Sequence, residues 1–339
     1  MRIGFMRMLI LGGTWFLGRA LAELAVGRGH EVTTFNRGRS GGDVAGVVAV
    51  RGDRGRWADL VRLVRGGPWD AVVDTSGMVP GVVRASASVL SRVAEFYVYV
   101  STVNVYRGWP TDPLDDGSEV RAGGGRPLGE NAADRYGREK AGCEVAVGTA
   151  FPGRSAVLRP SVMIGPREYA GRVPWWLRRV AGGGRVLAPG VPGWGIQPVD
   201  VRDVAEFALK VAERRLGGSF NVAAPIGSAT FGDLLEACRR VTGGSAALEW
   251  VADEFLVRHG VREWVELPLW RPHAGTWRLE TARARAAGLR CRPLFETVCD
   301  TWEWLCAGDA DLDHEAAADV GITPTREAAV LAAWDVCRE

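Results

Sequence analysis

Tyr136 and Lys140 stand four residues apart in Tyr136-Gly137-Arg138-Glu139-Lys140. On a helix that spacing places the phenol and the ammonium on one face. A free phenol has a pKa of about 10 and exchanges protons poorly near neutrality. A neighbouring ammonium stabilises the phenolate and draws that pKa toward the working range. Upstream, Ser101-Thr102-Val103-Asn104-Val105-Tyr106 leaves a strand-like run, which places the Thr102 hydroxyl to orient a carbonyl or alcohol beside the phenol. A tyrosine–lysine pair is also an ordinary feature of solvated helices. Here, though, 42 basic residues include only two lysines, Lys140 and Lys210, and one of them falls at this spacing.

The first turn of the chain offers a berth for a nucleotide. Met8–Leu11 reads as a short buried strand, and Phe16, Leu17, Ala20, Leu21 and Leu24 recur at helical spacing. Between them lies Gly12-Gly13-Thr14-Trp15-Phe16-Leu17-Gly18. Glycines on a strand-to-helix turn let backbone N–H groups approach a pyrophosphate at the positive end of the helix. Asn36, Arg37 and Arg39 follow the second strand, about twenty residues on, where an acid selects NAD and an arginine accommodates the 2′-phosphate of NADP. NADP(H) is therefore favoured over NAD(H), with Arg54 as a further helper. Asp53, after the third strand, and Thr75-Ser76-Gly77, after the fourth, are candidates to line an adenosine pocket.

The elements that must hold these residues recur in order. Strand-like runs at Val32–Phe35, Val47–Val50, Ala71–Asp74, Phe96–Val100 and Ala156–Leu158 alternate with helical segments, and Ser219–Val222 reads as a later addition. That alternation predicts an α/β fold with a doubly wound, mostly parallel sheet and ligands at the carboxyl ends of its strands. Met1–Met8 shows no cleavable signal pattern and reads as an extension ahead of the first strand, with Met6 or Met8 as alternative starts.

Composition narrows the functions further. The chain has 339 residues, 47% hydrophobic and 24% charged, with a formal net charge of +2. That near balance gives no basic stripe for nucleic acid. No apolar run approaches the ~20 residues a membrane helix needs. The six cysteines form no C-x-x-C pair, so reduced thiols in a cytoplasmic protein are expected, with no metal site. No G-x-x-x-x-G-K-[ST] loop is present.

Taken together, the glycine turn, Asp53, Thr102 with Val105-Tyr106, and Tyr136 with Lys140 resemble the short-chain dehydrogenase/reductase superfamily in its extended, epimerase-like branch. Arg159-Pro160 through Gly165-Pro166 and Val199-Asp200-Val201-Arg202-Asp203 continue the likeness, which runs from Met8 to about Gly227. The resemblance implies a Rossmann-type domain over 1–164, with 195–225 returning to it. It also implies a smaller, interleaved substrate domain and tail made of 165–194 and 226–339. In that reading Tyr136 exchanges the proton, Lys140 binds the nicotinamide ribose, and Thr102 hydrogen-bonds the reacting oxygen. Three departures stand out. Trp15 replaces the middle glycine of G-x-x-G-x-x-G, so its indole must point away from the pyrophosphate or reshape the turn. Val103-Asn104 stands where dehydratases carry an acidic pair. Val162 and Ile164 replace the Asn and Tyr of R-x-x-N-x-Y-G-P, which weakens a sugar-nucleotide reading.

Indoles concentrate in the second half, and Trp175, Trp176 and Trp194 are the candidates to face a substrate. The expected activity is therefore NAD(P)-dependent reduction or oxidation of a small apolar or aromatic molecule. An NAD(P)-dependent epimerase of a sugar or sugar nucleotide is the alternative, and a non-catalytic nucleotide-sensing or RNA-associated protein belongs to another class. Asp203–Arg214 and Asp233–Thr242 read as helices, Thr230 as a cap, and Glu327–Trp334 as a docking helix behind an acidic stretch at Asp309, Asp311, Asp313 and Glu315. A homodimer contact is left open.

Overall fold

The computed structural model describes residues 5–125, 129–308 and 315–338. In chain order its first strands are β1 (Arg7–Leu11), β2 (Glu31–Asn36), β3 (Val48–Arg51), β4 (Trp69–Asp74), β5 (Ala94–Val100) and β6 (Ser155–Pro160). Further strands follow: β7 (Met163–Ile164), β8 (Arg185–Pro189), β9 (Gly195–Ile196), β10 (Val199–Asp200), β11 (Gly218–Val222), β12 (Ala229–Thr230) and β13 (Ala247–Val251). The helices are α1 (Phe16–Gly27), α2 (Trp57–Val64), α3 (Pro80–Leu90), α4 (Ala132–Ala150), α5 (Arg172–Ala181) and α6 (Val201–Arg214). The second half adds α7 (Phe231–Thr242), α8 (Asp253–Arg258), α9 (Ala282–Ala286), α10 (Leu294–Cys306) and α11 (Pro324–Arg338).

Seven strands form the main sheet in the order β11-β6-β5-β4-β1-β2-β3, each neighbouring pair parallel. All seven expected runs are in it. The two-residue period of a strand explains how one sheet serves two cores. Met8 and Ile10 of β1, Ala71 and Val73 of β4, and Phe96 and Val98 of β5 pack with α1 and α6 on one face. Leu9, Leu11, Val72, Tyr97 and Tyr99 point the other way, against α3 and α4.

A further core gathers Val173, Trp176, Leu177 and Val180 of α5 with Leu234 and Leu235 of α7, the β8 strand, and Val330 and Leu331 of α11. Thr230 caps α7 as expected, in a capping box with Asp233. The tail helix docks through Arg179 Nε to Glu327 at 2.7 Å and a two-pronged Arg185–Asp335 pair. Asp309, Asp311 and Asp313 lie outside the described residues. Ala284 and Leu289, placed by sequence with the second lobe, pack into the first core beside Phe220. No described helix is long and apolar enough to cross a membrane.

Candidate active site

The strand order turns back at β1, with β2 on one side and β4 on the other, and this is where such sheets open a crevice. Leu11 is in register with both Phe35 and Asp74, so Gly12, Thr75 and Asn36 at the end of β2 stand at one level. The Gly12 N–H donates to Phe35 O at 2.9 Å and the Thr75 N–H to Leu11 O at 3.1 Å. Gly12 and Gly13 take φ of 120° and 99°, which side chains disfavour. A Cβ on Gly18 would stand 2.7 Å from Gly13 N, so α1 meets the turn only because residue 18 lacks one. Trp15 is the N-cap of α1 and makes no side-chain capping hydrogen bond to it, leaving the first-turn N–H groups to face the crevice.

A cavity of about 670 Å³ opens here. Its lining includes Gly12, Gly13, Thr14, Trp15, Phe16, Leu17, Gly18, Asn36, Arg37, Arg39, Asp53, Arg54, Thr75 and Ser76, and it reaches Tyr136 and Lys140. N–H groups at a helix start, two adjacent glycines in the turn and a cavity that runs on to Tyr136 and Lys140 fit a pyrophosphate-bearing dinucleotide.

Some predicted residues do a different job. Gly77 is buried behind the wall, where its carbonyl accepts from Lys140 Nζ at 2.9 Å. The Arg54 guanidinium is not free for a phosphate: both terminal nitrogens donate to Asp74 at 2.8 Å, and one also reaches Ser86 Oγ at 2.7 Å. Burial works against both charges. Even so, Asp74 raises the Arg54 pKa, and Arg54 holds the Asp74 carboxyl below the usual carboxylate range. A buried carboxylate at the end of β4 demands such a partner. Asn36 braces the turn, with Nδ2 donating to Gly12 O at 3.1 Å and Oδ1 accepting from Gly38 N and Arg51. Arg37 and Arg39 line the cavity and form no ion pair among the described residues.

The helix that carries Tyr136 and Lys140 is α4, started by Asn131, whose Oδ1 accepts from Asp134 N at 2.9 Å. Gly137 lets α4 approach the turn after β5, for a Cβ there would lie 2.1 Å from Asn104 O. That approach brings Tyr136 to Thr102, which is buried and whose hydroxyl favours the ionised phenol. Lys140 Nζ is held by the Gly77 and Val100 carbonyls at 2.9 and 2.6 Å and stands 4.3 Å from the Tyr99 ring centre. Burial pulls its pKa down to about 8.

The expectation that this ammonium draws the phenol toward neutrality does not hold in the chain alone. Burial, and then Tyr169, push Tyr136 up to about 12, against the opposing pull of Thr102 and Arg172. Desolvation of the phenolate outweighs the nearby positive charge.

The tryptophan expectation is also corrected. Trp175, Trp176 and Trp194 do not line this cavity. Trp176 is fully buried on the inward face of α5, and its Nε1 donates to Pro268 O at 2.7 Å. Trp175 packs edge-on against Trp176, and Trp194 lies against the same core. An amphipathic helix turns its largest apolar residues inward, so core packing takes them.

Residues the sequence reading passed over take their place. Tyr169 and Met163 line the cavity, and Ser101 forms its wall, with Oγ donating to Glu144 at 2.5 Å. Arg172, which acts on the Tyr136 phenol, stands 5.4 Å from the Trp264 ring centre. Arg271 is flanked by Trp264 and Trp109, each at 4.8 Å. Its Nε is buried with no hydrogen-bond partner among the described residues, as are Thr276 Oγ1 and Trp277 Nε1. The nearest carboxylate, Glu263, is 3.6 Å from Nε, and burial outweighs its pull, lowering the Arg271 pKa. Trp264 and Leu269 hold φ of 67° and 69°, a strain that clusters at functional sites. Only the abundance of indoles in this stretch signalled it in the sequence.

Seven parallel strands, a glycine turn at their switch point and a tyrosine–lysine helix beside it define the epimerase-like branch of the short-chain dehydrogenase/reductase superfamily. The chain belongs to the NAD dependent epimerase/dehydratase family, which it matches over residues 8–223. It is similar in fold to the Bordetella bronchiseptica enzyme WbmG in complex with NAD and UDP, with a TM-score of 0.69 and 19% identity over 91% of this chain and 98% of that one. A UDP-glucose 4-epimerase from Thermotoga maritima aligns with a TM-score of 0.66 and 16% identity, over 89% and 99% of the two chains. In sequence the chain is 27% identical over 257 residues to the chloroplast stem-loop binding protein of 41 kDa b of Arabidopsis thaliana. That match covers 70% of this chain and 63% of the relative's length.

Proposed function

We propose that the chain is a nicotinamide-dinucleotide-dependent oxidoreductase that interconverts an alcohol and a carbonyl on one carbon of a small anionic substrate. One observation carries this reading: Tyr136 and Lys140 line the same cavity as the bare glycine turn. A dinucleotide bound there supplies the acceptance and donation of hydride. The turn and the first N–H groups of α1 hold its pyrophosphate, and Lys140 donates toward its ribose. Tyr136 gives its proton to the carbonyl oxygen or takes one from the alcohol, with Thr102 orienting that oxygen.

Arg37 and Arg39 at the far end favour NADP(H), because two guanidinium forks match a 2′-phosphate. Arg271 and Arg172, seated among Trp109 and Trp264, suit a substrate anion better than a purely apolar molecule. Family membership and the sugar-nucleotide enzymes of like fold support the epimerase mode, in which a bound dinucleotide would serve without net consumption. The Arabidopsis relative is named for stem-loop binding, but a net charge of +2 gives this chain little attraction for a polyphosphate.

The test is spectroscopic. Anionic candidate substrates are added to the protein loaded with NADPH or NADH, and nicotinamide absorbance is followed beside product analysis. Lasting cofactor consumption marks a net dehydrogenase, and inversion without it marks an epimerase. Loaded protein inert toward every alcohol, ketone and sugar nucleotide offered, with Tyr136→Phe no different, refutes the proposal.

A further inference from the structure

Trp15 and Tyr169 meet at the cavity from segments far apart in the chain. Trp15 sits in the glycine turn at the start of α1, and Tyr169 sits in the segment between β7 and α5 that leads into the second lobe. Their rings stack at 4.3 Å between centres, tilted by 37°, and Phe16 meets the same tyrosine edge-on at 5.8 Å. Both residues line the cavity. The tyrosine is not there by looseness of its loop. Gly171, at a φ of 68°, starts α5, and the buried Glu168 carboxylate accepts from Arg172 N and Val173 N at 3.1 and 3.2 Å. Tyr169 is thereby carried at the head of α5, while its ring packs on the first core.

We propose that Trp15 and Tyr169 form an aromatic clasp that ties the phosphate turn to the substrate lobe, fixes the turn against Tyr136, and must part before a dinucleotide can leave. The clasp rests on the reading that this cavity takes a dinucleotide, and it gives Trp15 a positive role where a glycine would leave the turn open. Stacked aromatic rings add attraction beyond the area they bury, so separating them slows exit. A slow exit suits a reaction that returns the dinucleotide to its starting state, because exchange is then no part of the cycle. Tyr169 also raises the pKa of the Tyr136 phenol.

The experiment follows the release of bound NADPH and NADH, by chasing the preloaded protein with excess oxidised dinucleotide and recording the loss of nicotinamide fluorescence. Trp15→Gly and Tyr169→Leu are each expected to speed release by roughly 3- to 10-fold. Trp15→Phe, which keeps a ring to stack, is expected to stay within about twofold of the unaltered protein. In Tyr169→Leu, which removes the neighbouring phenol, the alkaline limb of the pH–rate profile also shifts to lower pH. A merely structural residue would lower the melting temperature without moving that limb or the release rate. Binding of a dinucleotide with unchanged release in both Trp15→Gly and Tyr169→Leu overturns the clasp and leaves the proposed activity standing. Failure of the unaltered protein to bind either dinucleotide overturns both.

Discussion

The Lys140 ammonium donates to the Gly77 carbonyl at 2.9 Å, a contact between the helix that carries the acid–base pair and the loop that leaves β4. Gly77 O also accepts from the Tyr99 hydroxyl at 2.9 Å, so a single carbonyl anchors the lysine and a buried strand residue together. The ammonium is positioned from the sheet side, and its charge is set by burial before any ligand arrives.

Lys140 therefore makes stability depend on pH. Its pKa falls from the ordinary 10.5 to about 8 in the fold, so between those values the unfolded chain binds more protons. Stability rises with pH through that window, and the full penalty, about 3 kcal/mol, applies below pH 8. Lys140→Met removes the charge. Chemical denaturation from pH 7 to 10.5 should show a flatter profile in the variant than in the unaltered protein.

Tyr136→Phe deletes the proposed proton carrier and leaves the berth intact. The turnover rate should fall roughly 10²- to 10⁴-fold while NADPH binding changes little. Because the phenol is pushed up to about 12, the reducing direction, which needs it protonated, should show no loss from this group until strongly alkaline pH. A pH–rate profile in each direction checks the sign.

Arg54→Met leaves the Asp74 carboxylate buried without its two 2.8 Å partners. Breaking a buried pair from one side costs about 3–5 kcal/mol. The loss should appear as a lower denaturation midpoint, largest above pH 4, where the unaltered Asp74 is ionised. As pH falls through the lowered pKa of Asp74, the pair's contribution disappears and the difference narrows.

Arg37→Ala with Arg39→Ala tests cofactor choice by calorimetry. NADPH affinity should drop roughly 10- to 100-fold, with NADH affinity nearly unchanged. Equal losses for the two dinucleotides would show that the arginines do not read the 2′-phosphate.

Arg271→Met should raise KM roughly 10- to 100-fold for an anionic substrate and affect kcat less, because the lost contact is made in the ground state too. An unchanged KM would move substrate recognition away from the indole-flanked guanidinium.

The sequence alone determined the sheet, its parallel order of β and α segments, the glycine turn and the Tyr136–Lys140 pair. Each is a local pattern: a period of two or 3.6, a turn that only glycine tolerates, a four-residue spacing on one helix. Tertiary structure decided what depends on neighbours distant in the chain. It paired Arg54 with Asp74, buried Trp176 under Pro268, stacked Trp15 on Tyr169, and set Arg271 between two indoles. Burial and charge pairing are sums over groups that meet only on folding. For that reason the tyrosine and lysine were legible as a pair, while the direction in which each titrates was not.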